Sequence, residues 1–133
     1  MVHSPVVLYF IADSKKDKQV AKLCRRLGIR MKGLKPEDGD REIGALAGIT
    51  RSASARNHGT MPAGYALPEL LIFSGLPGEG LDAFLAEYKK AGIEPVGLKA
   101  IVTPHNLTWT VYELTAELVR ERTAMLLGGS KKE

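Results

Sequence analysis

A chain of 133 residues that is 44% hydrophobic and 26% charged has the composition of one globular domain, long enough to bury a core without staples. Its single cysteine excludes an intramolecular disulfide and argues against a thiolate zinc site. The net charge of +4 is uneven: residues 14 to 41 hold ten Lys/Arg against four Asp/Glu, and the remainder nets −2, so one segment is basic rather than the whole surface.

The N-terminal stretch MVHSPVVLYFIADSKK has an apolar run that stops at Asp13. That suits a strand, not a signal peptide. No run approaches the roughly 20 apolar residues of a membrane span. The expectation is a cytoplasmic protein with no membrane partner.

Val6 to Ile11 reads as a buried strand: short, apolar, β-branched and aromatic. Ser14 with Asp17 three residues on predicts a helix opened by a capping box. Val20, Leu23, Cys24 and Leu27 then recur at helical spacing, and Gly28 suits the residue after a helix end. Ile29 to Lys35 predicts a second strand. Asp40 would cap a short helix through Ile43, Leu46 and Ala47, closed by Gly48. Residues 50 to 66, TRSASARNHGTMPAGYA, have no periodicity and are expected to form a mobile loop. From Glu69 to Phe73 the chain reads as a strand again. Pro77 opens a helix with Leu81, Phe84, Leu85 and Tyr88 on one face, ended by Gly92. Ile93 to Val102 predicts a strand. A helix from about Thr108 to Leu126 carries Val111, Leu114 and Leu118. The tail, 128 to 133, is expected to fray.

The two halves agree in more than pattern. GIRMKGLK at 28 to 35 matches GIEPVGLK at 92 to 99 in five of eight positions, an offset of 64. Leu8-Tyr9-Phe10 matches Leu71-Ile72-Phe73 at an offset of 63. This predicts one domain over 1–133 with an internal duplication of a β-α-β-α unit, about 6–49 and 69–126. Such units favour right-handed crossovers and a shared sheet. The expected fold is an α+β ferredoxin-like sandwich with helices on one face. A thioredoxin-like or more parallel α/β sheet is the alternative.

The segments GIRMKGLKPEDGDREIGALAGI, LLIFSGLPGEGLDAFLAEYKKAGI and GLKAIVTPHNLTWTVYELTAEL together resemble a family of small bacterial domains of unknown function. Phe-Ser-Gly after the third strand and the Leu-Lys-Ala-x-x-Thr-Pro-x-Asn-x-x-Trp pattern are its most diagnostic pieces. The resemblance covers most of residues 6 to 120 and leaves out the loop. It implies an α+β domain and a bacterial source. It implies no activity and carries over no functional residue.

The chemistry must therefore be read from the residues. Cys24 lies on the apolar helix face, opposite Lys15, Lys18, Lys22, Arg25 and Arg26, and has no Cys-x-x-Cys partner, so it reads as core. His3, His58 and His105 share no metal-ligand spacing, so neither a metal nor a cofactor is expected. No phosphate-binding glycine loop and no nucleophile elbow is present. The basic helix stripe Lys15, Lys18, Lys22, Arg25 and Arg26 could contact nucleic-acid phosphates, an alternative that the few aromatic residues weaken.

The most suggestive stretch is KAIVTPHNLTWTVYEL, 99 to 114. Pro104 ends a strand, Asn106 turns the chain, and Thr110 with Glu113 forms a capping box. Every residue there has a structural task. The same corner sets a strand end against a helix N-terminus, a place for a small anionic ligand. The candidate ligand-binding residues are Ser74, Gly75, Lys99, Thr103, His105, Asn106, Thr108 and Trp109. Lys35, Pro36, Glu37 and Asp38 hold the matching place in the first half, and its acids make that corner unlike an anion site. No catalytic residue is assigned. The expected function is non-enzymatic binding of a small ligand or a protein partner, with a homodimer as one form of the latter. A hydrolase-like enzyme using Ser74 and His105, with Asn106, is the alternative.

Overall fold

A computed structural model of the chain describes residues 5–50 and 58–124. Its elements are β1 (Val6–Phe10), α1 (Ser14–Arg26), β2 (Arg30–Gly33), α2 (Ile43–Leu46), β3 (Leu70–Ser74), α3 (Gly78–Lys90), β4 (Leu98–Ile101) and α4 (Val111–Ala124). A short 3-10 turn, Pro36–Asp40, precedes α2. The residues expected to fray, 128–133, lie outside the described residues, as do 51–57 of the expected loop.

The strands form one mixed sheet in the order β2-β1-β3-β4. β1 runs parallel to β2, β3 runs parallel to β4, and β1 meets β3 antiparallel at the centre. The class is α+β, as expected. The ferredoxin-like form is not reproduced. In that arrangement the strands of each β-α-β unit are split apart, whereas β1 and β2 are neighbours here, as are β3 and β4. Nor do the helices lie on one face. Val6, Leu8, Leu70 and Ile72 pack with Ile43, Leu46, Val111 and Leu114 from α2 and α4. Val7, Leu71 and Phe73 pack with Val20, Leu23, Phe84 and Tyr88 from α1 and α3. The physical reason is in the strands: VVLYF and LLIFS are apolar at successive residues, so both faces must be covered.

Local expectations shift by small amounts. The cap of α1 is Asp13, whose carboxylate accepts from Lys16 N at 3.3 Å, and Ser14 is the first helical residue. Asp40 belongs to the 3-10 turn, and the N-cap of α2 is Glu42. β4 is shorter than expected, because Pro95 and Gly97 interrupt the run before it. The box at α4 is present: Thr110 N donates to Glu113 Oε1 at 2.9 Å, and Glu113 N donates to Thr110 Oγ1 at 3.1 Å.

The two halves repeat geometrically. β3 and α3 start 64 residues after β1 and α1; β4 and α2's counterpart α4 start 68 after theirs. α1 and α3 end alike: Gly28 and Gly92 both have φ of 72°, and the next residues, Ile29 and Ile93, bond back to Cys24 O and Tyr88 O at 2.9 and 3.5 Å. The 63-residue strand offset read from sequence does not fit. A one-residue slip exchanges the faces of a strand, and Leu8 shares its face with Ile72, not Leu71. The shared octapeptide also diverges in place, since β2 starts two residues after Gly28 and β4 six after Gly92.

Two contacts sit on the approximate two-fold relating the halves. In the sheet, Leu8 pairs with Ile72. Outside it, Glu42 and Thr110 form an isolated antiparallel bridge, in which Ile43 N donates to Trp109 O at 2.9 Å and Val111 N donates to Arg41 O at 3.1 Å. These bonds are reciprocal, as a two-fold requires. The strand-to-helix corners match too. Lys35 N donates to Asp38 Oδ2, and Thr103 N to Asn106 Oδ1, each at 2.9 Å.

Candidate functional site

The corner between β4 and α4 stands at the C-terminal ends of two parallel strands, β3 and β4. The register aligns Phe73 with Ile101 and so brings Ser74-Gly75 and residues 102 to 103 to one end of the sheet. Thr103, Pro104 and His105 are exposed, and the rings of His105 and Trp109 meet in a T-shaped contact, with centroids 5.3 Å apart. Trp109 is half-buried against the α2–α4 side of the core.

The corner's polar groups are occupied. Thr103 Oγ1 accepts from His105 N and Asn106 N, both at 3.2 Å. Asn106 Oδ1 accepts from Thr103 N, and Asn106 Nδ2 donates to Ile101 O at 3.0 Å. At the start of α4 the amides of Thr110, Val111 and Glu113 already have acceptors in Glu113, Arg41 and Thr110. Thr108 is half-buried and also engaged. Helix N–H groups attract an anion only while they lack partners.

The other predicted residues stand apart. Lys99 is exposed on the α3 side of the sheet, with Nζ donating to Val96 O at 3.0 Å. Ser74 is 2% exposed within β3, opposite Val6. No hydrogen bond among the described residues joins Ser74 to His105. Gly75 follows with φ of 75°, a left-handed turn that suits glycine. Cys24 is fully buried, and burial pushes its thiol up to about 11. The basic stripe of α1 is where the periodicity puts it. Lys15, Lys18, Lys22, Arg25 and Arg26 are exposed, and Arg26 also pairs with Glu87 of α3 at 3.0 Å.

Two features escaped the sequence. The first is a carboxylate–imidazole pair. Glu42, its side chain 1% exposed on the two-fold, meets His58 Nε2 at 2.6 Å. Beside it, Glu113 Oε2 accepts from Gly59 N at 2.8 Å, and Tyr65 stacks edge-on against Tyr112 with its hydroxyl 2.8 Å from Thr115 Oγ1. Residues 58 to 65 are thus fastened to α4 and the two-fold joint. A pair 16 residues apart across an aperiodic segment leaves no spacing signal.

The second is a concavity at the outer edge of β4. It encloses about 260 Å³ and is lined by Phe73, Leu81, Leu85, Lys99, Ala100 and Ile101. Ile101 is 49% exposed and Leu85 37%. Leu85 was expected on the buried face of α3. It lies instead at the rim, since Phe84 and Tyr88 take the sheet-facing positions. Phe73 turns toward Phe84, ring centroids 5.2 Å apart, and leaves the space beside Ile101 open.

No group of three or more His, Cys, Asp or Glu suited to a metal ion occurs among the described residues, and no helix there is long and apolar enough to cross a membrane. No curated protein and no solved structure matches the chain. A family model does match, from the start of β3 to the end of α4; the first half, which the sequence resemblance included, lies outside it. Residues 69–125, the part of the chain it covers, are thus similar to the family described as Domain of unknown function (DUF3783).

Proposed function

We propose that this is a non-enzymatic, cytoplasmic binding domain of duplicated β-α-β-α origin, and that it docks a protein segment against the outer edge of β4. The observation that carries the reading is the coincidence of an edge strand with an apolar concavity. Val102 N donates to Phe73 O at 2.8 Å. Strand alternation then turns the amides of Lys99 and Ile101 outward. No strand among the described residues lies beside them. An added strand gains backbone hydrogen bonds from the edge and specificity from a neighbouring pocket. Fully burying a side chain such as Ile101 or Leu85 is worth roughly 1.5–3 kcal/mol.

The saturated corner at 103–110 supports an architectural role for that stretch. The burial of Ser74 and Cys24 supports the non-enzymatic reading. A random library of extended peptides, selected against the wild type and counter-screened with Ile101→Lys, tests the proposal. Binders that the variant loses support it. A metabolite panel run in parallel tests the corner: a small anion that raises the melting temperature of the wild type but not of His105→Ala/Trp109→Ala would move the site there.

A further inference from the structure

We infer that the occupant of the β4 edge is a second copy of this chain, paired antiparallel through β4 about a two-fold axis at Ala100. This rests on the edge-docking reading above and adds the partner and the register.

The first feature lies on α3. Residues 82, 85 and 89 fall on one stripe of a helix. Leu85 lines the concavity, which places the stripe beside the β4 edge. Asp82, Leu85 and Lys89 are all exposed, and among the described residues neither Asp82 nor Lys89 has an ion-pair partner. The stripe therefore reads acid, apolar, base. A two-fold that runs β4 antiparallel to its copy also runs α3 antiparallel to its copy. Leu85 then meets Leu85, and Asp82 of each copy meets Lys89 of the other. The charges are complementary only in that direction; a parallel arrangement sets like against like.

The strand selects the same axis. Centred on Ala100, the outward amide and carbonyl of Lys99 lie opposite those of Ile101 in the copy, where the Ile101 carbonyl, which already accepts from Asn106 Nδ2 at 3.0 Å, takes the Lys99 amide on its second lone pair, and the side chain of Ile101 packs against the stem of Lys99. Centred on Lys99, the two ammonium groups would face each other, which is unfavourable in an antiparallel pair. The interface is isologous and closes at two copies, giving a continuous eight-stranded sheet.

The opposite edge lacks this chemistry. The residues of α1 matching Asp82, Leu85 and Lys89 are Lys18, Ala21 and Arg25, and β2 itself exposes Arg30 and Lys32. Two such edges repel, and charged residues on an edge strand are a common guard against pairing.

Sedimentation equilibrium on the full chain tests the inference. Wild type is expected to show a monomer–dimer equilibrium. Asp82→Lys and Lys89→Asp should each weaken it by roughly ten-fold or more, because each introduces two like-charge contacts across the two-fold. The double swap Asp82→Lys/Lys89→Asp should recover most of the loss. All three variants carry changes at exposed positions, and circular dichroism checks that each is folded. Wild type that stays monomeric to about 1 mM, or a double swap no better than the singles, overturns the inference. A monomer that still takes peptides lost by Ile101→Lys removes only the second copy as occupant. A monomer that takes none removes the edge-docking reading as well.

Discussion

Beside β2, the stripe of α1 reads Lys18, half-buried Ala21, Arg25; beside β4, the matching stripe of α3 reads Asp82, Leu85, Lys89. The backbones repeat each other, from the helix-ending glycines to the side-chain bonds of Asp38 and Asn106. The side chains at the edges do not repeat. Tyr9 covers the end of β2: a methyl group added at Gly33 would lie 3.6 Å from its ring. Phe73, its counterpart, faces Phe84 and leaves Ile101 exposed. Repeated architecture therefore fixes where an edge lies, and a handful of side chains decides whether it repels or accepts a partner. The half that matches a domain family is the one whose edge we propose as the docking edge.

The largest expected difference between the halves is in the core. Phe84 is fully buried against Phe73 and Tyr88. Phe84→Ala should cost about 3–5 kcal/mol in denaturant unfolding, and Val20→Ala at the matching position of α1 about 1–2 less, since fewer atoms are removed. Equal losses would mean that the two halves are packed alike.

Next is the joint on the two-fold. A Cβ at Gly44 would lie 2.8 Å from Leu107 O, a backbone atom that cannot swing away. Gly44→Ala should destabilise by about 1–3 kcal/mol. The matching position holds Tyr112, half-buried against Tyr65, so the close approach belongs to the first half alone.

The corners should differ less. Asn106→Ala removes bonds to Thr103 N and Ile101 O, and Asp38→Ala removes the bond to Lys35 N and an exposed contact to Arg41. Each should cost about 1 kcal/mol, with Asn106 the larger. A loss at Asn106 with no change in any ligand response would confirm its structural task.

Alkaline titration gives the finest contrast. Cys24 and Tyr88 occupy matching positions of α1 and α3. Burial raises the thiol from 9.0 to about 11; burial, then the charges of Glu69 and Glu94, raise the phenol from 10.0 to about 12. In each case the folded state holds its proton longer than the unfolded state. The stabilisation is full below the unfolded pKa and is lost as pH rises to the folded one. Cys24→Ala should therefore flatten the fall in stability between pH 9 and 11, and Tyr88→Phe the fall between pH 10 and 12. Unchanged slopes would contradict the burial of these groups.

Much of this was legible in the residues. Element order, the inward Cys24, the glycine helix ends and the Thr110–Glu113 box follow from periodicity and capping rules. The sheet's connectivity was not legible. A β-α-β unit can leave its strands adjacent or split, and local pattern does not choose between them. The unbroken apolar runs of β1 and β3 did carry the signal that both faces are covered. The corner at 99–109 drew notice for its turn residues, and those residues spend their polar groups on one another. The β4 edge left almost no mark, because an exposed Ile101 and a rim Leu85 look like core residues until the sheet order makes β4 an edge. The Glu42–His58 pair was invisible for a different reason, since it depends on where an aperiodic segment lands.

Amide hydrogen exchange, followed residue by residue as a function of protein concentration, tests the contrast between the edges most directly. Lys99 and Ile101 should become protected as concentration rises, while Met31 and Gly33 on β2 exchange at a constant rate. Exchange at Lys99 and Ile101 that is independent of concentration, or protection that rises equally on both edges, would contradict that contrast.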